Sequence, residues 1–270
     1  MYLIQQIKKY RSVFLFSAIT LVFSCDKHDK DINIFSIEDD KALGEQLAQE
    51  IAADPTTYPV LPRAQYAEAY KHLDRIITPI MNSGKVNYEK EFVWEFHIIR
   101  DDNVLNAFAG PGGKVYVYTG LIKYLDSEDH LAGVMGHEIA HADKRHVTDQ
   151  LTKQYGISLL LEVALGKNSG SLGQIAAGLA FLKFSRNAER EADNFSVEYL
   201  CPTHYKADGA AGFFDKLIKE GQGGGGPEFL STHPDPGNRV EDIRAKANEK
   251  NCPGTSDNIS QYQAFKNSLP

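Results

Sequence analysis

Five residues at positions 137–141, His-Glu-Ile-Ala-His, constrain this chain more than any other part of its sequence. Residues four apart lie on one face of an α-helix, so the imidazoles of His137 and His141 can reach the same metal ion. Glu138 lies beside them and can hold a water molecule on that ion. The spacing is that of the H-E-x-x-H zinc signature. The motif alone is not proof, because two surface histidines on an ordinary helix give the same pattern.

The residues before this motif favour a helix. Ser127 can cap its N-terminus, and Glu128 and Asp129 supply the negative charge that a first turn prefers. Gly133 and Gly136 lower the helix propensity, yet they let another backbone approach closely. The sequence therefore predicts a motif-bearing helix with a close neighbour.

A second motif can supply a third ligand, which a catalytic zinc site needs besides one open position. Glu189 and Asp193 are four residues apart in a segment of helical character, so they share one face, and Glu191 points away from it. Glu189 can bind the metal while Asp193 holds the second nitrogen of a ligand histidine. An acidic helix face by itself is usually only solvated. Together with the H-E-x-x-H motif, however, the pattern favours Glu189 as a metal ligand.

A third motif, at residues 231–239, is a turn rich in proline and glycine. It fixes His233 and Arg239 ahead of the last predicted helix. A positive or hydrogen-bond-donating group near the metal would stabilise the oxyanion of a tetrahedral intermediate. Taken alone, this segment is merely the start of a helix.

Together these motifs resemble the gluzincin metalloproteases of the HtpX, Ste-type CAAX protease and BepA/LoiP type, peptidase family 48 of the metallopeptidases. The resemblance covers roughly residues 40–250, and the three motifs have the same order and spacing. It implies a helix-dominated α+β fold, a zincin-like metalloprotease domain with a small β-sheet before the active-site helix. It also implies one zinc ion per chain, with Glu138 as the general base. The implied metal ligands are His137, His141 and Glu189.

The resemblance extends to a substrate-binding strand. The residues that match the family's edge strand are Asn106, Ala107, Phe108 and Ala109, followed by Pro111-Gly112-Gly113. An extended peptide would pair with this strand through its main chain. Such pairing tolerates many sequences, which suits unfolded or misfolded envelope proteins as substrates. His233 and Arg239, by the same resemblance, steady the oxyanion.

Apolar periodicity and turn residues divide the rest of the chain into elements. The predicted helices, besides the one that carries the H-E-x-x-H motif, span residues 36–53, 64–81, 210–220 and 236–250. The predicted strands span residues 92–98, 104–109 and 114–118, and the last two form a hairpin around a Gly/Pro turn. A glycine run at 221–226 predicts a flexible loop.

Two further features leave alternatives open. The apolar stretches 157–164 and 172–182 can be core helices, a part that dips into a membrane, or a mobile lid over the metal. Both are short for spanning a bilayer, which takes roughly 20 residues. His146 lies off the face that His137 and His141 share, and we interpret it as a surface residue or a neighbour of a ligand.

The first 25 residues are typical of an exported lipoprotein: a basic start, an apolar stretch at 13–23 and then Cys25. Plain secretion and an uncleaved anchor are the alternatives. The predicted location is the bacterial cell envelope, facing the periplasm or the cell surface, with a lipid on Cys25 as the only membrane contact. The predicted divisions are a signal peptide at 1–24, a tether at 25–36, the protease domain at 37–252 and a C-terminal tail at 253–270.

Composition and cysteine usage agree with an exported globular enzyme. A net charge of -7 disfavours nucleic-acid binding through phosphate neutralisation, and an apolar content of 42% excludes a disordered chain. In an oxidising compartment, Cys201 and Cys252 can form a disulfide that closes a loop of about 50 residues. Two separate buried thiols are the alternative.

The sequence thus predicts a zinc endopeptidase of the envelope that degrades unfolded or misassembled proteins. His233 can alternatively take the fourth zinc position and make the enzyme latent. The competing hypothesis is an envelope chaperone or assembly lipoprotein with a latent or structural zinc site. Structural zinc sites usually include cysteine, and neither Cys201 nor Cys252 is near the H-E-x-x-H motif in sequence.

Overall fold

A computed structural model of the chain describes residues 34–220, 228–234, 238–252, 254–255 and 258–270. The predicted signal peptide, the lipidation site at Cys25, most of the tether and the glycine run at 221–226 lie outside the described residues. The described residues belong to one compact unit, Ile32–Pro270.

Helices make up most of the described fold, and the strands form a single group in the chain. The helices are α1 (Ile37–Ala53), α2 (Ala67–Met81), α3 (Thr119–Tyr124), α4 (Glu128–Asp143), α5 (His146–Tyr155), α6 (Ile157–Ala164), α7 (Leu172–Leu179), α8 (Arg186–Leu200), α9 (Gly209–Lys219), α10 (Glu228–Thr232), α11 (Arg239–Lys250) and α12 (Ile259–Asn267). The strands are β1 (Glu95–Ile99), β2 (Ala107–Ala109) and β3 (Lys114–Tyr118). This helix-dominated α+β arrangement, with its sheet before α4, confirms the predicted fold class.

Helix α1 begins directly after Ser36, the first residue of the predicted helix. The Ser36 side chain accepts a hydrogen bond from the Asp39 amide, and the Asp39 carboxylate accepts one from the Ser36 amide, which completes a capping box. Leu43, Leu47 and Ile51, four residues apart on one face of α1, are fully buried.

The three strands form one sheet in the order β1-β3-β2. β2 and β3 pair antiparallel and confirm the predicted hairpin, whereas β1 runs parallel to β3. The prediction placed the start of the first strand at Phe92, and the structure places it at Glu95. The Phe92 amide instead donates to the Tyr88 carbonyl, 3.1 Å away, so that residue closes a turn.

The two faces of the sheet pack against different helices because alternate side chains of β3 point in opposite directions. Val115 and Val117 lie in one buried cluster with residues of α4 and α2. Tyr116 and Tyr118 lie in the other, with the apolar face of α1. The sheet therefore forms a fixed layer beside the helix that carries the H-E-x-x-H motif.

Helix α4 lies at the centre of the helical part and packs against α8 and α9. A Cβ atom added to Gly133 would lie 2.0 Å from the Ala210 amide nitrogen of α9. One added to Gly136 would lie 2.9 Å from the Ser196 hydroxyl of α8. The two glycines thus allow the close approach that the sequence predicted.

The apolar stretches form α6 and α7, which pack against α1. Leu160 and Val163 of α6, and Ile175 and Leu179 of α7, are buried in the α1-side cluster. This arrangement agrees with the core-helix interpretation. Within the described ranges, the helices are too short or too polar to cross a bilayer.

The segment predicted as a C-terminal tail, residues 253–270, contains a helix. Residues Ile259–Asn267 form α12, and Tyr262 and Phe265 are buried in the same core as α2. The segment is ordered by this burial, since two aromatic side chains remove a large apolar area from water. Close by in the chain, Cys252 forms the predicted disulfide with Cys201.

Candidate metal centre

Helix α4 places the imidazoles of His137 and His141 side by side in the interior. Its N-terminus is capped by the Ser127 hydroxyl, which accepts from the His130 amide, as the sequence predicts. The Nε2 atoms of the two imidazoles are 3.0 Å apart, and both side chains are buried. Their spacing of four residues therefore does bring two nitrogen donors to one point.

Helix α8 brings Glu189 to the same point. Its Oε1 atom lies 3.4 Å from His141 Nε2, and its Oε2 atom lies 3.5 Å from His137 Nε2. The side chain is fully buried. Two nitrogen donors and one carboxylate are a donor set that suits zinc.

A fourth donor comes from the segment after α10. His233 is buried, and its Nδ1 atom lies 3.0 Å from Glu189 Oε1 and 3.3 Å from His137 Nε2. The potential ligand atoms of these residues lie within 4.8 Å of one another. We call His137, His141, Glu189 and His233 the four-residue cluster.

Glu138 is fully buried beside this cluster. Neither of its carboxylate oxygens has a hydrogen-bond partner among the residues that the structure describes. Its Oε1 atom is 3.6 Å from His233 Nε2. Burial raises the pKa of the Glu138 carboxyl, so it binds a proton more readily than an exposed glutamate. These are the properties that a general base needs.

Asp193 and Arg239 surround the carboxylate side of the cluster. Asp193 Oδ1 lies 2.9 Å from His137 Nδ1, which agrees with the predicted support of a ligand histidine. The Arg239 guanidinium lies 3.0 Å from Glu189 Oε2 and 2.7 Å from both Asp193 oxygens. Arg239 is 2% exposed, and through these contacts its guanidinium pairs with both carboxylates in the interior.

The charges fit a bound cation. Burial lowers the pKa of His141 well below its usual value, which favours the neutral imidazole that metals bind. Burial opposes ionisation of Glu189, but the charges of His233 and Arg239 hold its pKa well below the usual range. For His137, burial and Arg239 lower the pKa, and hydrogen bonds with Asp193 and Glu189 raise it to about 9. Zinc binding requires that proton to leave.

The predicted substrate strand lies at one edge of the described sheet. β2 contains Ala107, Phe108 and Ala109, and all three are buried. Asn106 precedes the strand, and its side-chain amide donates to the Ala180 carbonyl at 3.1 Å. Ala180 lies just after α7, so the chain after that helix contacts the residue that precedes the strand.

The same stretch of chain, residues 180–184, continues to the four-residue cluster. The Phe184 ring stacks on His141 with 3.9 Å between ring centroids, and it also stacks on His233 at 5.6 Å. The sequence analysis missed Phe184, because nothing in its spacing links it to the metal motifs. The segment between α7 and α8 thus brings the Phe184 ring against the four-residue cluster.

His146 is a second residue that the sequence left open. It is 7% exposed, and its Nδ1 atom lies 3.1 Å from His141 Nδ1. Arg145 has a left-handed backbone with φ of 62°, so the chain reverses after α4 and returns His146 to the ligand. Helical periodicity could not find this contact, because the helix ends before it.

Comparisons with known proteins agree with this geometry. The sequence profile of peptidase family M48 matches residues 67–247, more than half of the chain, and this segment contains the whole four-residue cluster. The mitochondrial metalloendopeptidase OMA1 of Schizosaccharomyces pombe is 28% identical over 215 residues, which cover 78% of this chain and 62% of the relative.

Two other relatives show the same pattern of partial coverage. The beta-barrel assembly-enhancing protease of Escherichia coli K12 is 32% identical over 195 residues, which cover 65% of this chain and 40% of the relative. OMA1 of Arabidopsis thaliana is 35% identical over 156 residues, which cover 57% and 32%. The chain therefore matches less than two thirds of the length of each of these relatives.

Proposed function

Since this chain belongs to peptidase family M48, whose members use zinc, we propose that it is a zinc metalloendopeptidase of the bacterial cell envelope that degrades unfolded or misassembled proteins. The observation that carries the proposal is the buried cluster of His137, His141 and Glu189 beside Glu138. A structural site would have no use for a buried carboxylate without a hydrogen-bond partner among the described residues. A hydrolase uses such a group as its base.

The roles of the residues follow from their positions. Zinc bound by His137, His141 and Glu189 would polarise the scissile carbonyl and lower the pKa of water to about 7. Glu138 takes the proton from the attacking water and delivers it to the leaving amine. Asp193 holds the His137 ring through its Nδ1 atom, which fixes the orientation of Nε2.

His233 and Arg239 complete the proposed site. His233 Nε2 lies near Glu138, where a donor can steady the oxyanion of the tetrahedral intermediate. Arg239 contributes positive charge close to the same region. Its contacts with Glu189 and Asp193 support an additional role, which is to hold the third ligand in place.

The substrate lies extended along residues 106–109 and pairs with the edge of β2 through its main chain. The Asn106 contact with Ala180 and the Phe184 stack on His141 support the proposal that residues 180–184 cover this path. We therefore propose that this stretch moves aside before a substrate binds. Main-chain pairing favours unfolded chains, because a folded protein has few free extended segments.

The envelope location rests on the first 25 residues and on a relative. The sequence pattern before Cys25 supports export and lipidation of that cysteine. The Escherichia coli relative is a protease that enhances the assembly of beta-barrels, and this supports an envelope substrate. The Cys201–Cys252 disulfide agrees with an oxidising compartment.

The direct test of this function compares two forms of one substrate. The zinc-loaded protein should cleave a reduced, carboxymethylated protein and leave its native, disulfide-intact form whole. A chelator should abolish the cleavage, and one equivalent of zinc should restore it. Equal cleavage of both forms would contradict the preference for unfolded chains, and cleavage in excess chelator would contradict a metalloenzyme.

The family match does not favour the alternative, an envelope chaperone or assembly lipoprotein with a latent or structural zinc site. Structural zinc sites have four protein ligands, and His233 lies where a fourth ligand would. Replacing His233 by alanine separates the cases. A latent enzyme gains activity in His233→Ala, whereas an enzyme that needs this residue for the oxyanion loses it. A zinc-bearing chaperone cleaves nothing in either form.

A further inference from the structure

The two ligand histidines of α4 are supported in different ways. Asp193 contacts the Nδ1 atom of His137 directly. His141 has no carboxylate described at its Nδ1 atom, and the ring of His146 lies there instead, with its Nδ1 atom 3.1 Å away. The Nε2 atom of His146 lies 3.3 Å from Glu191 Oε2. Three side chains thus form a row that leads away from the metal centre.

The position of the four-residue cluster indicates the role of each nitrogen in this row. His141 Nε2 faces His137 and Glu189, so it is the ligand atom, and the proton of a neutral His141 is on Nδ1. That Nδ1–H group donates, which means that His146 Nδ1 accepts. The proton of His146 is then on Nε2, where it donates to Glu191.

From this geometry we infer that His146 and Glu191 are positioning residues for the metal ligand His141. His146 fixes the tautomer and the ring orientation of His141, and Glu191 fixes the tautomer of His146. The inference rests on the proposed zinc site and assigns a function to two residues outside the ligand set. Glu191 lies off the helix face that Glu189 and Asp193 share, and it contacts His146 and not the ligands themselves.

Helix α8 then supports the whole metal centre through three acidic residues. Glu189 is the ligand, Asp193 holds His137, and Glu191 holds His141 through His146. The contact between His146 and Glu191 reaches the surface, because the Glu191 side chain is 51% exposed whereas the His146 side chain is 8% exposed. A neutral histidine suits this intermediate position because it accepts at one nitrogen and donates at the other.

The test measures zinc affinity by competition with a fluorescent chelator, a readout that does not depend on cleavage. His146→Leu should weaken zinc binding by about 10- to 100-fold, the usual effect of losing an outer partner of a ligand. His146→Asn keeps a hydrogen-bond acceptor close to the position of Nδ1, and it should restore most of the affinity. Circular dichroism verifies that each variant is folded.

A double variant tests whether Glu191 acts through His146. Glu191→Ala should weaken zinc binding less than His146→Leu does. The combination of the two should be no weaker than His146→Leu alone, because the first residue works only through the second. Asp193→Asn should add its full effect to His146→Leu, since it supports the other histidine. Glu198→Gln, on the same helix and paired with Lys250, is the matched control.

The outcomes separate this inference from the proposed function. Zinc binding by His146→Leu within twofold of the wild type would overturn the inference, whatever the activity. Equal losses in His146→Asn and His146→Leu, or an additive Glu191→Ala effect, would also overturn it. Wild-type protein that binds zinc tightly but cleaves nothing would contradict only the proposed function, and the affinities of the variants would still decide the inference.

Discussion

At the scale of single residues, the metal centre gathers ionisable groups that are costly to bury one by one. Glu138, Glu189 and His141 are fully buried, and Arg239 is nearly so. A buried charge is tolerated when it is paired and hydrogen-bonded. Arg239 pairs with two carboxylates, so its removal would leave both of them without this partner in the interior.

We expect Arg239→Met to lower the free energy of unfolding of the zinc-free protein by about 3–5 kcal/mol, because Glu189 and Asp193 lose their partner in the interior. Urea unfolding followed by circular dichroism measures the change. Added zinc should recover part of the loss, since a cation compensates the same carboxylates. The control is Arg190→Met, an exposed position on α8. A loss below about 1 kcal/mol, the scale of an exposed ion pair, would contradict the account.

Sequence reasoning reached these residues unevenly. His137 and His141 could be placed together because they are one helical turn apart. Glu189 could be added because a catalytic zinc site needs a third protein ligand. His146 was left open between a surface residue and a neighbour of a ligand, and Phe184 was missed, since both reach the site by the path of the chain outside a regular helix. The left-handed backbone of Arg145 brings His146 to the site, and the path of the chain after α7 brings Phe184 there.

At the scale of elements, the contact of α4 with α9 places the H-E-x-x-H motif. The contact depends on Gly133, where a Cβ atom would lie 2.0 Å from the Ala210 nitrogen. The glycine pattern predicted a close neighbour but not which helix it is, because the pattern carries no information on the partner.

We expect Gly133→Ala to lower the free energy of unfolding by about 1–3 kcal/mol, because α9 must shift to admit the new methyl group. Thermal or urea unfolding measures this. Gly173→Ala in α7 is the matched control: its Cβ atom would meet only the flexible Glu50 carboxylate, at 3.1 Å. That change should leave stability unaltered or raise it by up to about 1 kcal/mol. Equal effects of the two substitutions would show that helix propensity, and not packing, governs Gly133.

Element bounds could be predicted best where a local signal marks them. The helix predicted at 36–53 and the helix predicted from the Ser127 cap both start where the structure places them. The first strand was predicted too long, because its apolar alternation continues through Phe92 into a turn. The C-terminal helix α12 was missed, since its buried side chains are only Tyr262 and Phe265, too few for a clear period.

At the scale of the whole molecule, the disulfide joins the two helices that hold the carboxylate side of the site. Cys201 follows α8, which carries Glu189, and Cys252 follows α11, which begins at Arg239. Cysteine count predicted a possible bridge, but only the fold could bring together two residues 51 positions apart.

We expect the double variant Cys201→Ser/Cys252→Ser to lose about 2–5 kcal/mol of unfolding free energy, because its unfolded chain is no longer constrained. Wild-type protein in a strong reductant should fall to the same stability. The double variant should not respond to the reductant, which serves as the control. Stability of the wild type that is independent of the reductant would contradict a contribution from this bridge.

In the proposed function, one zinc site and one buried carboxylate make this chain a peptidase. The most direct measurement compares zinc-loaded wild type with Glu138→Gln in the cleavage of casein, and determines bound zinc in both. We predict one zinc per chain in each protein and a loss of cleavage, by about 100-fold or more, in Glu138→Gln. Cleavage by Glu138→Gln at the wild-type rate, with zinc bound, would contradict the role of Glu138 as the general base.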